Sequence, residues 1–289
     1  MYHCIINPAA GRGRGQKLIP VIKSILKDVE INMTNSNTDA AKLAKEACAA
    51  GSNGIVGVGG DGTMQDIVTG MLDGRDSCDV PFGIISCGSG NDLKRTFCKT
   101  DNVENCLHSM LIGKVQVIDA IRANDAACVN IANIGLDAKI VRNARFLKKI
   151  FGKSSYIIST VASVLNHKNT FMSVHIDGKE HLEGEFTLVA VCNGQYYGGG
   201  MRITPSALMD DGRITLCLIN AMSGLKALTL FPVMLLGRHT GLKAIQYIEC
   251  KQVTLTIKTP QTLCLDGNLY ECPYACDFKI LPEAIRVVV

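Results

Sequence analysis

The sequence lacks an apolar run long enough to cross a lipid bilayer. Its longest apolar stretch, from Leu225 to Gly237, is interrupted by Lys226 and Pro232 and falls short of the roughly 20 residues that a membrane-spanning helix needs. The chain also enters a strand-like run at once, at Tyr2–Ile6, so the sequence predicts no signal peptide. Both absences favour a cytoplasmic protein without a membrane anchor.

A strong excess of charge of one sign is also missing. Lys and Arg number 30 against 26 Asp and Glu, which gives a net charge of +4. That balance does not fit a dedicated nucleic-acid-binding protein, although it suits an anionic substrate or an acidic membrane surface. With 47% hydrophobic and 19% charged residues, the composition predicts a well-packed globular chain rather than a disordered one.

Paired C-x-x-C motifs are absent, although the chain has 13 cysteines. The tightest group, Cys264, Cys272 and Cys276, lacks the spacing of a zinc site. Many cysteines lie inside apolar runs, as Cys192 and Cys217 do. We therefore interpret them as small buried side chains in a reducing compartment.

The first part of the chain alternates strand-like and helical patterns. Predicted strands lie at Tyr2–Ile6, Val29–Met33, Gly54–Val58 and Phe82–Ser86. Predicted helices lie at Gln16–Lys27, Asp39–Ala50, Thr63–Leu72, Asn91–Phe97 and Val103–Ile112. This order predicts a doubly wound α/β domain over residues 1–120, with a parallel sheet whose ligands bind at the carboxyl ends of the strands.

From about Val115 the pattern changes to short runs rich in Val, Ile and Thr, separated by turn dipeptides such as Asp177-Gly178 and Asp266-Gly267. It predicts a mostly antiparallel β domain over residues 121–281. Two helical inserts interrupt it, at about Asp137–His167 and Ser223–Thr240. Edge strands of such a domain would permit a homodimer, although nothing in the sequence requires one.

Three glycine-rich strings follow apolar runs of the first domain. They are N-P-A-A-G-R-G-R-G (Asn7 to Gly15), G-V-G-G-D-G-T (Gly57 to Thr63) and S-C-G-S-G-N-D (Ser86 to Asp92). Glycine lets the backbone approach a ligand closely, and main-chain N–H groups at a strand-to-helix turn bind phosphate. Three such turns in one domain, two of them with an aspartate, indicate a nucleotide site.

Together these strings resemble the diacylglycerol kinase catalytic family, which includes bacterial lipid kinases and sphingosine kinases. The family carries N-P-x-(S/A)-G-x-G, then G-G-D-G-T, then G-(S/T)-x-N-D, in the order seen here. G-G-D-G-T alone also occurs in NAD kinases and phosphofructokinases, whereas the other two strings separate the families. The resemblance implies ATP as donor, a C-terminal β-sandwich domain, and a tail at residues 282–289 that packs back on the first domain.

The strings also supply candidate nucleotide and catalytic residues. Asp61 is the best candidate to hold Mg²⁺ at the phosphates, and Asp92 would complete the metal and water network; helix capping is the alternative for both. The resemblance places Ser89 at the nucleotide, and Thr34 fits a family threonine by spacing alone. The predicted nucleotide-binding set is Asn7, Pro8, Ala9, Ala10, Gly11, Thr34, Gly59, Gly60, Asp61, Gly62, Thr63 and Ser89.

A second metal site is implied only by the resemblance. The segment from Asn193 to Met201, followed by Pro205 and Asp211-Gly212, resembles the family pattern N-G-x-x-x-G-G-G-M … P-x-A-x-x-x-D-G. There the resemblance implies a structural magnesium ion with Asp211 as carboxylate ligand and main-chain oxygens from Leu208 and Arg213. An oxygen-only loop suits a hard cation.

The sequence departs from the family at Asp266-Gly267-Asn268. The family has D-G-E, and its glutamate is taken as the general base that accepts the proton of the substrate hydroxyl. Asn268 cannot accept that proton, and a missing base typically costs about 10²–10⁴-fold in rate. The family's N-E pair after G-G-D-G-T is also changed, to Gln65-Asp66. A gain in rate from Asn268→Glu would indicate that only the base is missing.

The predicted function is an ATP-dependent lipid kinase, with diacylglycerol as the default acceptor. The basic helical pattern from Arg142 to Lys168 is equally typical of a helix on anionic lipid and of an ordinary amphipathic helix. Two other functions stay open: a nucleotide-binding protein impaired in catalysis, and a kinase for a soluble hydroxyl compound such as NAD.

Overall fold

The computed structural model describes residues 1–35, 37–88, 90–97, 102–136 and 163–289. The first domain has a parallel sheet in the order β4-β3-β1-β2, with helices between its strands. The strands are β1 (Tyr2–Ile6), β2 (Val29–Met33), β3 (Gly54–Gly59) and β4 (Cys78–Ser86). The helices are α1 (Ile19–Ile25), α2 (Asn37–Ala49), α3 (Asp61–Met71), α4 (Asp92–Phe97) and α5 (Val103–Leu111).

Burial explains why this sheet forms where it does. All six residues of β3 are buried, as expected of a parallel strand covered by helices on both faces. Ile5 and Ile6 of β1 are fully buried and belong to two different apolar clusters. Successive side chains of a strand point to opposite faces, so each isoleucine packs under a different helix layer.

The second domain is built from antiparallel strands with two main apolar clusters, one of which includes Met234 of its single described long helix. Its elements are β5 (Val115–Ala123), β6 (Ala126–Cys128), β7 (Ile131–Gly135), β8 (Thr170–Ile176), β9 (Glu180–Cys192), β10 (Tyr196–Tyr197), β11 (Met201–Arg202), β12 (Ile214–Asn220), α6 (Gly224–Leu235), β13 (Ile245–Cys250), β14 (Gln252–Ile257), β15 (Gln261–Leu265), β16 (Asn268–Cys272) and β17 (Ala275–Val288). The turns Asp177-Gly178 and Asp266-Gly267 have positive φ at both residues, as tight hairpin turns require.

Strand β17 joins the two domains. Its first half pairs antiparallel with β14, whereas its last residues pair parallel with β4, with Ile285 opposite Cys78. It also pairs antiparallel with β5 along most of its length. The C-terminal residues therefore complete the sheet of the first domain, and one sheet runs through both domains.

Most predicted elements have the expected type, and their bounds differ where distant partners extend them. Strand β4 begins four residues before the predicted Phe82, where Cys78 pairs with the C-terminal strand. The second helical insert ends at Leu235 rather than Thr240, because Gly237 has a φ of 64° that stops the helix. Nearly all of the first insert, residues 137–162, lies outside the described residues.

Within the described part of the chain, no helix combines the length and apolar character that crossing a membrane requires.

Candidate active site

The three glycine-rich strings converge at the carboxyl edge of the parallel sheet. The Asn7 side chain donates to Thr63 Oγ1 at 3.0 Å, which joins the first string to the second. Cys87 N donates to Gly59 O at 2.6 Å, which joins the second to the third. The three strings therefore meet at one edge of the sheet, an arrangement in which main-chain N–H groups can bind phosphate.

Gly11 shows why the first string needs a glycine. Its φ is 59°, in the left-handed region, and a Cβ at this position would lie 2.5 Å from Cys87 O. A side chain would thus be strained and would push the first string away from the third. Thr34 lies buried at the same edge, where its main-chain nitrogen donates to Ile6 O.

Asp61 caps a helix other than its own. Its Oδ2 accepts from Asn91 N at 2.8 Å and its Oδ1 from Asp92 N at 2.9 Å. A carboxylate that takes two main-chain donors at a helix start fixes that helix in place. Burial raises the pKa of Asp61, and these N–H groups oppose the rise. The contacts make Asp61 the residue that positions the third string.

Asp92 and Arg95 connect the first domain to the glycine loop of the second. Gly199 N donates to Asp92 Oδ2 at 2.9 Å. The Arg95 guanidinium donates to Gly90 O and Gly199 O and lies 3.6 Å from Asp92 Oδ1. Burial raises the pKa of Asp92 to about 6, and the charge of Asp61 adds to the rise. This contact holds α4 and the third glycine string against the glycine loop of the second domain.

Two buried oxygen atoms beside these contacts have no hydrogen-bond donor among the residues that the structure describes. They are Asn91 Oδ1 and Asp92 Oδ1. A buried acceptor without a donor is costly, and amide and carboxylate oxygens are suitable ligands for Mg²⁺. The residues present therefore fit a magnesium ion that is shared with nucleotide phosphates. Among the described residues, no group of three His, Cys, Asp or Glu side chains could hold a metal by itself.

Asn268 occupies a site that demands a hydrogen-bond donor. Its Nδ2 lies 3.0 Å from Gly62 O, 2.8 Å from Gln65 Oε1 and 2.9 Å from Asp66 Oδ1, and its two hydrogens are shared among these three acceptors. A main-chain carbonyl can only accept, so Gly62 fixes which end of the amide faces α3. Three residues that differ from the family pattern therefore form one buried contact between the domains: Gln65, Asp66 and Asn268.

Gln65 cannot turn its amide to suit a carboxylate at position 268. Its Nε2 donates to Ala127 O at 2.7 Å and to Thr69 Oγ1, which leaves Oε1 facing Asn268. Tyr270 donates its hydroxyl to the same Oε1 at 3.0 Å. Glu271 does not join the group, because it lies exposed on the other face of β16.

The loop that carries the predicted structural magnesium site is held by a buried aspartate. Asp119 Oδ2 accepts from Gly212 N at 2.7 Å, and its Oδ1 accepts from Glu283 N at 2.8 Å. Burial raises the pKa of Asp119. Asp211 accepts from Arg213 N and closes a local turn. The magnesium site at Asp211, Leu208 and Arg213 stays a prediction.

An apolar cavity of about 230 Å³ lies in the second domain, between α6 and the sheet. Most of its lining is aliphatic or aromatic, with Leu188, Ile219 and Phe231 among the larger side chains. Tyr197 and Gly198 also line it, and the next residue, Gly199, contacts Asp92. The cavity and the phosphate site are therefore neighbours through the glycine loop.

The structure brings most of the predicted nucleotide residues to one edge, and Ser89 lies outside the described residues. Sequence reasoning missed Arg95 and Asp119. Arg95 stands three residues after Asp92 on a predicted helix, a spacing that places two side chains on one face and could have signalled the pair. Asp119 offered no such signal, because its partners are more than 90 residues away.

Comparisons with known proteins agree with this arrangement. Residues 1–123 match the family model of the diacylglycerol kinase catalytic domain, and residues 130–289 match that of the YegS C-terminal NAD kinase beta sandwich-like domain. A diacylglycerol kinase of Mycobacterium tuberculosis is 28% identical and covers 98% of this chain and 93% of its own length. The crystal structure of a diacylglycerol kinase from Bacillus anthracis is similar to this structure, with a TM-score of 0.79 at 25% sequence identity. The match covers 99% of this chain and 96% of that one.

These matches confirm the predicted α/β domain followed by a β-sandwich domain, and they span both halves of the chain. The chain belongs to the diacylglycerol kinase and YegS-like family of lipid kinases.

Proposed function

We propose that this protein transfers the γ-phosphoryl group of ATP to the hydroxyl group of a membrane lipid, with diacylglycerol as the acceptor. The observation that carries the proposal is the apolar cavity beside the phosphate loops. An acyl chain in that cavity would leave a glycerol hydroxyl near the glycine loop. A ligand pocket of this kind is mostly apolar, with a few polar groups that fix orientation.

The roles of the chain's own residues follow from their contacts. Main-chain N–H groups of the first two glycine strings would bind the phosphates. Asn91 and Asp92 would offer oxygens to magnesium, which when bound neutralises charge on the transferring phosphoryl group. Asp61 keeps Asn91 and Asp92 in place through two hydrogen bonds.

Lipid is favoured over a soluble acceptor such as NAD by the character of the cavity. A dinucleotide would need polar partners for its ribose and phosphate groups, whereas most of the cavity wall is apolar. Without a glutamate at position 268, catalysis would rest on positioning and on the electrostatics of the bound metal.

The activity is expected to fall as the pH is lowered through about 6. Burial raises the pKa of Asp92 to about 6, so its charged form dominates only above that pH and is lost below it. The effect on stability has the opposite sign. Folding favours the neutral form of Asp92, because its pKa is raised in the folded state, so the stability that this group contributes is lost as the pH rises through about 6. A pH profile of kcat/KM would check this, and a profile flat from pH 5 to 8 would contradict it.

Ala227→Phe tests the cavity. Ala227 is buried in the cavity wall, and a phenyl ring there would exclude several methylene groups of an acyl chain. Each methylene contributes about 0.8 kcal/mol on burial, so the loss of about two raises KM for long-chain diacylglycerol roughly ten-fold. KM for ATP should not change.

The matched control is Ala221→Phe, at an exposed alanine before α6. It should leave both KM values as in the wild type. Equal lipid KM values in the wild type and Ala227→Phe would contradict the proposal, provided that both proteins have the same thermal unfolding curve.

A further inference from the structure

The outer side of α6 and the turn after it expose large apolar side chains. Leu225 is 67% exposed, Leu235 47%, Leu236 69% and Leu242 40%. We call these four residues the leucine face. Large apolar side chains exposed together on one helix and the turn after it mark a candidate interaction site.

The chain segment that carries the leucine face has charges of one sign only. Residues 212–248 contain no Asp or Glu, but they include Arg213, Lys226, Arg238 and Lys243. Arg213 pairs with Glu249 at 3.2 Å. In the part of the chain that the structure describes, the other three cations form no ion pair within 4.0 Å. An apolar surface flanked by unneutralised cations suits an anionic, apolar partner.

The leucine face also borders the apolar cavity. Leu235 is exposed and lines the cavity, whereas Ala227 and Met234 of the same helix are buried in its wall. Helix α6 therefore contributes residues to both the cavity wall and the leucine face, and Leu235 belongs to both. A lipid acceptor has to move from a bilayer into this cavity. Contact between α6 and the bilayer would make the path of the lipid into the cavity short.

A second copy of the chain fits this face less well than a bilayer does. In a two-fold dimer the same patch lies on both subunits. Lys226, Arg238 and Lys243 would then face their own counterparts, and like charges oppose such a contact. A bilayer with acidic headgroups offers an apolar region for the leucines and negative charges for the three cations.

We propose that the leucine face, with Lys226, Arg238 and Lys243, docks the protein on the surface of an anionic bilayer. The leucines enter the boundary between headgroups and acyl chains, and the three cations contact acidic headgroups. This inference rests on the proposed function only in taking a membrane lipid as the acceptor. Helix α6 would then have two roles: it would bind the bilayer surface, and it would form part of the wall of the acyl-chain cavity.

Vesicle flotation tests the docking with Leu225→Gln/Leu236→Gln, two exposed residues that do not line the cavity. Partition onto phosphatidylcholine vesicles that contain phosphatidylglycerol should weaken about ten-fold or more. Lys226→Gln/Lys243→Gln should weaken it about five-fold per charge, and only on the anionic vesicles. The matched control is Leu111→Gln/Ile112→Gln, at exposed apolar residues of the first domain, which should bind as the wild type does.

Activity separates this inference from the proposed function. With a short-chain diacylglycerol dispersed as monomers, Leu225→Gln/Leu236→Gln should phosphorylate it at the wild-type rate. With long-chain diacylglycerol in anionic vesicles, it should be slower in proportion to its weaker binding. If the wild type floats with the vesicles but phosphorylates no lipid, and Leu225→Gln/Leu236→Gln no longer floats, the docking would be supported and the proposed function contradicted.

Wild-type flotation of Leu225→Gln/Leu236→Gln would overturn the docking and leave the proposed function standing. A wild-type dimer in sedimentation experiments that becomes a monomer in the same variant would also overturn it, because the face would then belong to a second copy.

Discussion

Asn268→Glu is expected to lower the free energy of unfolding at pH 7 by about 3 kcal/mol and to leave kcat no higher than in the wild type. The substitution restores the family residue, yet it places a second carboxylate against Asp66 Oδ1 and removes the donor of Gly62 O. Gln65 cannot compensate, because its own donors are held by Ala127 O and Thr69 Oγ1.

This destabilisation should depend on pH in a defined direction. Two buried carboxylates in contact raise each other's pKa, so the folded state of the variant binds a proton more tightly than the unfolded state does. The deficit is then largest above the raised pKa and shrinks as the pH is lowered through it. Urea unfolding of the wild type and the variant at several pH values would measure it.

A paired substitution sharpens the test. In Asp66→Asn/Asn268→Glu the amide and the carboxylate exchange places, so a donor again faces an acceptor between positions 66 and 268, whereas Gly62 O and Gln65 Oε1 still lack the donor from position 268. We expect the double variant to be more stable than Asn268→Glu, because two carboxylates no longer face each other, and to stay less stable than the wild type, because a buried acceptor that loses its donor costs about 1–3 kcal/mol. We expect its kcat to rise above that of the wild type, because a carboxylate now stands where the family has its base. Glu271→Ala, at the exposed neighbour on β16, should change neither. A single Asn268→Glu variant that is as stable as the wild type would contradict this account.

Asp61→Asn is expected to reduce kcat/KM by about 100-fold or more, because a 1 Å misplacement of reacting groups can cost that much. Asp61 uses both carboxylate oxygens to hold Asn91 N and Asp92 N. Asparagine has one acceptor oxygen, so its NH₂ group would face a main-chain donor and displace the third glycine string. The unpaired donor costs about 1–3 kcal/mol of stability.

Steady-state kinetics and thermal unfolding would measure both effects of Asp61→Asn. The matched control is Asp73→Asn, just after the same helix, where the carboxylate is half-exposed and pairs with Lys45. An exposed pair of this kind contributes about 1 kcal/mol or less, so the control should keep its activity. Wild-type kcat/KM in Asp61→Asn would show that its contacts to the third string do not position the site.

The features of the fold that could be predicted from the sequence are those that local residue patterns determine. Strands β1 and β2 begin and end where their short apolar runs do, and the glycine strings lie at the strand ends as expected. The start of β4 could not be predicted, because its partner is the C-terminal strand, more than 200 residues away. Sequence periodicity carries no information about such distant pairing.

The same distinction between local patterns and distant contacts applies to the candidate site. The motifs identified Asp61 and Asp92, but the hydrogen bonds that define their roles come from residues 31 and 107 positions away. The change at position 268 was visible, whereas its meaning depended on Gln65 and Asp66, more than 200 residues earlier. Three separate departures from the family pattern therefore became one contact only in three dimensions.

The most direct test of the central claim is transfer of label from γ-labelled ATP, with magnesium, to a panel of lipids in mixed micelles, with NAD included as a soluble acceptor. The account predicts labelled phosphatidic acid from diacylglycerol, formed at least about 100-fold more slowly when Asp61→Asn replaces the wild type. Label in NAD, or in no acceptor while ATP is still bound, would contradict it.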